Sequence, residues 1–147
     1  MNLATGVGLG GFAEGDRLRN VENLVGSKFA DMLIGNAGNN ILNGGVGDDV
    51  LAGGLGVDQL IGGTGIDLAD YSASSAFVTI NMANGSNVGG DADGDTFNSI
   101  EGVIGTKFAD ILSGDTLANR FYAGAGDRKS TRLNSSHSTL SRMPSSA

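Results

Sequence analysis

The chain has 147 residues, 26 of them glycine, no cysteine, and aromatic side chains at only 5%. That composition cannot fill a conventional compact core and offers no disulfide or thiol chemistry, whereas a solenoid needs only contacts between neighbouring coils. The net charge of −7, with no apolar run of membrane-spanning length, argues against nucleic acid and anionic membrane as partners and against membrane insertion.

Residues 1–20 read as the end of a β-rich insert. Asn2–Gly35 aligns on Asn81–Gly114 at a constant offset of 79 without a gap, and the tetrapeptide KFAD is intact in both copies. The chain is therefore expected to open inside a larger repeating block, with Met1 not a natural start. No basic-then-apolar leader segment is present at the N-terminus.

Residues 21–70 carry the main signal. Gly44–Asp70 divides into GGVGDDVLA, GGLGVDQLI and GGTGIDLAD, each with glycine at places one, two and four and aspartate at place six. Three glycines in four residues permit φ > 0 and a close approach of backbone to an ion. Such a turn presents carbonyl oxygens, and an aspartate two residues later adds a hard carboxylate oxygen. Calcium takes six to eight such oxygens and tolerates irregular geometry. The last three residues of each unit suit a short strand with its central side chain turned inward. A single GGxGxD is an ordinary turn, but three contiguous copies in register are not.

The stretch resembles the repeats-in-toxin (RTX) family of secreted bacterial proteins, for which this repeat is the known signature. The resemblance implies a right-handed parallel β-roll in which two nonapeptides complete one coil and calcium lies between turns eighteen residues apart. It thereby stacks Asp31, Asp49 and Asp67 on one edge, and Glu22, Asn40 and Asp58 on the other. The inward columns become Leu33 with Leu51, and Leu24 with Leu42 and Leu60. Ala69 interrupts the apolar series, so the regular coil is expected to end there.

The metal-binding set expected from the roll is Gly44, Gly45, Gly47 and Asp49; Gly53, Gly54, Gly56 and Asp58; and Gly62, Gly63, Gly65 and Asp67. The degenerate flanking repeats GSKFADMLI, GNAGNNILN and RLRNVENLV add Asp31, Asn40 and Glu22, with asparagine offering an oxygen but no charge. Aspartates one strand spacing apart repel by roughly 3 kcal/mol per pair at an effective dielectric of about 20. A bridging cation removes that repulsion.

Residues 71–103 form a β-rich insert between two rolls, with Val78–Met82 alternating as a half-buried strand does. Its DADGD segment, Asp91–Asp95, resembles the opening of an EF-hand loop without the following helix. Asp95 is the candidate ligand there, and Asp16 is its equivalent in the first copy. The alternative is a solvated acidic loop.

Residues 104–126 read as the start of a second roll. Its final turn is expected to be incomplete, because Arg128 stands eighteen residues beyond Asp110 where an aspartate belongs, and the second roll is expected to fray. Residues 127–147 differ sharply. The tail has no glycine, seven serines and the only proline and histidine, and DRKSTRLNSSH resembles a translated sequencing-library adapter. The tail is expected to be non-native and outside the fold, and His137 to be neither ligand nor catalyst. Without it, fifteen acids against five bases give a net charge of −10.

The expected function is calcium-driven folding of a module within a larger secreted, extracellular protein. The resemblance implies the type I secretion machinery as the parent's partner. The alternatives are the C-terminal module of a secreted protease, lipase or polysaccharide epimerase, or a repeat block of an adhesin or surface-layer protein. No enzyme is expected from these residues: the first 126 contain neither His nor Cys, and their serines lack a base partner.

Overall fold

Each nonapeptide supplies one short segment with a central apolar side chain, flanked by turn residues that stop it from extending. The consequence, in a computed structural model that describes residues 1–8, 14–124 and 138–142 (the last as backbone only), is a stack of short parallel strands. One sheet contains β1 (Asn23–Val25), β3 (Ile41–Val46), β5 (Gln59–Thr64) and β9 (Thr96–Asn98), in that order. The facing sheet runs β2 (Met32–Ile34), β4 (Val50–Ala52), β6 (Leu68–Asp70), β10 (Gly102–Ile104), β12 (Asn119–Ala123) and β13 (Ser138–Arg142). The expected all-β parallel roll is the fold of the chain.

Register follows the eighteen-residue rule. Leu24 pairs with Leu42 and Leu42 with Leu60, while Leu33 pairs with Leu51 and Leu51 with Ala69. All six are buried, so the interior is two leucine-rich columns facing each other between the sheets. Burying one leucine contributes about 2–3 kcal/mol, which identical stacked columns repeat coil after coil.

The coil does not end at Ala69. Ala69 is fully buried and pairs with Val103, which pairs in turn with Phe121. On the other side Leu60 pairs with Phe97. The small alanine belongs to a layer that Tyr71 helps to fill: this ring is buried and stacks on Phe97 at 6.3 Å between centroids. The boundary of the insert accordingly moves. β9 and β10 resume the two sheets of the first run, and the second run continues that stack instead of founding another.

The excursion proper is a hairpin of β7 (Thr79–Asn81) and β8 (Ser86–Val88), followed by a 3-10 turn at Gly90–Ala92. β7 also pairs in parallel with β11 (Ile111–Ser113), which makes a third sheet. In the second run β11 pairs with β7 and β12 with β10, and Leu112 and Phe121 are buried. Arg128 lies outside the described residues.

The 79-residue repeat is a repeat of structure as well as sequence. Asn2 bridges Ile34 in parallel as Asn81 bridges Ser113, and Leu3 N–H donates to Ile34 O as Met82 N–H donates to Ser113 O. Among the described residues, the two non-glycine positions with positive φ, Asn20 at 53° and Ser99 at 52°, are equivalent.

One expectation for the tail is overturned. Ser138–Arg142 extends the second sheet as β13, parallel to β12. Its register differs, because Asn119 pairs with Ser138 at an interval of nineteen instead of eighteen. An open strand edge accepts any extended backbone, and that pairing requires none of the repeat's residues.

Candidate metal centre

Two kinds of turn connect the strands, and the residue at place two separates them. In the turns Gly44–Asp49, Gly53–Asp58 and Gly62–Asp67, place two is glycine with positive φ. Gly63, at φ 110°, also lies where a Cβ would strike the carbonyl oxygen of Gly45 in the preceding coil, so both conformation and space demand glycine. With the peptide turned this way, the sixth-place aspartate reaches across to another coil. Asp49 Oδ1 accepts the N–H of Asp31, Asp67 Oδ1 that of Asp49, and Asp58 Oδ1 that of Asn40, each at 2.8 Å and each eighteen residues apart.

The second carboxylate oxygen of each of these aspartates is buried without a hydrogen-bond partner. Asp49, Asp58 and Asp67 are at most 1% exposed, and their Oδ2 atoms make no hydrogen bond. Leaving a buried charged acceptor unsatisfied costs several kcal/mol, so the same defect at three equivalent positions calls for a cation.

The degenerate turns solve the problem internally. Ser27 Oγ donates to Asp31 Oδ2 at 2.9 Å, and Asn36 N–H donates to Asn40 Oδ1 at 2.8 Å. In the second run Thr106 N–H and Oγ1–H donate to Asp110 at 2.6 and 2.8 Å, and Val78 N–H from the insert adds a bond of 3.0 Å. Asn119 is held by Asp115 N–H in the same fashion. Glu22 takes part through its carbonyl, which accepts from Asn40 Nδ2 at 3.1 Å, while the residue itself is exposed.

The ladders continue past the nonapeptides. Asp58 N–H donates to Asp95 Oδ1 at 2.7 Å, and Asp67 N–H donates to Glu101 Oε2 at 2.9 Å. Arithmetic at eighteen residues could not find these partners, because the insert lengthens the interval to 37 on one edge and 34 on the other. Asp95 was expected as a ligand from its acidic loop. Glu101 was not, although the 79-residue offset from Glu22 was the available signal. Asp16, the equivalent of Asp95, is exposed.

The electrostatics agree with a missing positive charge. Burial, followed by the charges of Asp95 and Asp91, raises the Asp58 carboxyl to about 6, against the opposing hydrogen bond from Asn40 N–H. Asp67 is raised by burial and by the charges of Asp49, Glu101 and Asp48, and Asp95 by burial and its neighbours Asp91 and Asp93.

The donor set fits a hard, oxygen-seeking cation. Among the described residues no three His, Cys, Asp or Glu side chains converge on one point, so a bound ion would complete its shell with backbone carbonyls or water. Calcium accepts that mixture, whereas zinc would want nitrogen or sulfur. No helix of the described residues is long and apolar enough to cross a membrane.

Comparison with known families agrees. The chain matches the family described as RTX calcium-binding nonapeptide repeat (4 copies) over residues 21–51, 34–69 and 104–127. The three turns with unpartnered aspartate oxygens lie inside that match, and Asp95 and Glu101 lie outside it. No curated protein matches the chain.

Proposed function

Since this chain is an RTX repeat protein, whose nonapeptides bind calcium, we propose that it acts as a calcium-driven folding module of a larger secreted bacterial protein. The observation that carries the reading is the set of three buried, unpartnered carboxylate oxygens on Asp49, Asp58 and Asp67. Bound calcium supplies the positive charge that these oxygens lack, with Gly44–Asp49, Gly53–Asp58 and Gly62–Asp67 as the holding turns. At cytosolic calcium the carboxylates repel and the chain stays open for export by type I secretion machinery. At extracellular calcium they are bridged and the roll closes.

The role is structural, and no reaction is assigned to these residues. Of the settings possible for the parent, a repeat-built adhesin or surface-layer protein is favoured over an enzyme's C-terminal module. The supporting observation is that the 79-residue block recurs with the same bridges and the same positive-φ positions. Circular dichroism of the full chain tests the core reading. Millimolar calcium should restore β signal that excess chelator removes, and a complete β spectrum in chelator would refute it. Magnesium should substitute poorly, because it demands tight octahedral geometry and releases water reluctantly.

A further inference from the structure

The two edges of the roll each terminate, at the insert, on an acid that no nonapeptide contains. Asp95 stands to Asp58 as Asp67 stands to Asp49. In both pairs a carboxylate Oδ1 accepts the N–H of an aspartate in the coil before, and the strands that follow pair directly, Gln59 with Thr96 and Val50 with Leu68. Glu101 repeats the relation with Asp67, ahead of the pair Leu68 and Gly102. Asp95 is 1% exposed, and unlike Asp67 its other oxygen accepts a hydrogen bond from the buried hydroxyl of Tyr71 at 2.7 Å, so the unpartnered oxygen of this pair is that of Asp58 and Asp95 brings a fixed charge beside it. Asp58 Oδ2 is buried and unpartnered against Gly53 of its own turn, and the charges of Asp95 and Asp91 both act on Asp58.

We propose that the insert completes a further calcium site, in which Asp95 takes the place of the next nonapeptide's aspartate and closes the Gly53–Asp58 turn. The inference rests on the calcium-binding reading above and extends it to a residue outside the repeat. The insert is then a continuation of the metal ladder that carries it from the first run into the second. Asp91 strengthens the site through charge, and Tyr71 is a positioning residue that acts through Asp95. Glu101 offers the equivalent closure to Asp67 on the other edge.

The test compares the full chain with Asp95→Asn, which keeps an oxygen to accept the Asp58 N–H but removes the charge. Calcium titration by calorimetry should show one site weakened by roughly tenfold or more, with β signal at saturating calcium unchanged. Asp16→Asn, an exposed change at the equivalent position of the first copy, should leave the titration as it is. Terbium supplies an independent readout, since a lanthanide bound beside Asp95 should be sensitised by Tyr71. Tyr71→Phe should abolish most of that emission, and Tyr122→Phe should not. If Asp49→Asn weakens binding while Asp95→Asn titrates like the parent chain and Tyr71→Phe keeps the emission, the inference fails and the calcium reading stands. If the parent chain binds no calcium, both fail. Should Asp95→Asn lose its fold at saturating calcium, the terbium emission of Tyr71→Phe against Tyr122→Phe decides alone.

Discussion

The turn at Gly44–Asp49, between β3 and β4, and the turn at Gly105–Asp110, between β10 and β11, have the same length and the same sixth-place aspartate, yet they reach stability by different means. In the first, glycine at place two turns the peptide away and leaves Asp49 Oδ2 buried without a partner. In the second, Thr106 supplies both an N–H and a hydroxyl, and Val78 from the insert adds another N–H, so Asp110 is satisfied by protein alone. A single side chain at place two thus separates a turn that requires a cation from one that contains its own donors. The lesson is that degeneracy in a repeat can be a substitution of chemistry, with a hydroxyl standing where an ion would otherwise be.

The largest effect expected from this contrast is regional. In chelator, hydrogen exchange across Gly44–Asp67 should lose nearly all protection, while Thr106–Asp110 and the paired strand β7 should retain a measurable part. Equal loss in both regions would mean that the internal donors confer no independence from calcium. Next in size is Gly63→Ala. A Cβ there meets the Gly45 carbonyl and sits at positive φ, so a loss of about 3 kcal/mol or more is expected in calcium-saturated denaturant melts. The same change at Gly15, which has positive φ but open space around it, should cost only about 1 kcal/mol.

Asp49→Ala against Asp31→Ala sharpens the comparison within one ladder. The first removes an unpartnered carboxylate, and calcium affinity should fall by roughly tenfold or more. The second removes a carboxylate already engaged by Ser27, so its effect on calcium titration should be several-fold smaller. Similar losses would place Asp31 among the primary ligands.

The smallest effect is a pH dependence of the calcium-free chain. The folded state raises the Asp58 carboxyl from 3.8 to about 6, and raises Asp67 and Asp95 in the same direction. A raised carboxyl favours folding when protonated, so its contribution is fully present below the ordinary value and is lost as pH rises through the folded one. In chelator, β signal should therefore be greater near about pH 5 than near about pH 7. Calcium affinity should change in the opposite sense, because protons and calcium compete for the same oxygens. A chelated chain that gains order as pH rises would contradict the assignment of these aspartates as buried in the fold.

Most of the roll was legible without coordinates. The eighteen-residue spacing placed Leu24, Leu42 and Leu60 in one column and Leu33 and Leu51 in another, and it named Asp49 and Asp67 as successive rungs. This works because a solenoid makes only nearest-neighbour contacts, so a period in sequence becomes a translation in space. The 79-residue offset was legible for the same reason, and the paired bridges at Asn2 and Asn81 are its physical form. Where the period breaks, spacing carries no information. Only the tertiary structure decided that Asp58 continues to Asp95 across 37 residues and Asp67 to Glu101 across 34, or that Val78 reaches Asp110. Those partners are fixed by which strand edge the chain returns to after the insert, a matter of packing around Tyr71 and Phe97 that the eighteen-residue interval does not encode.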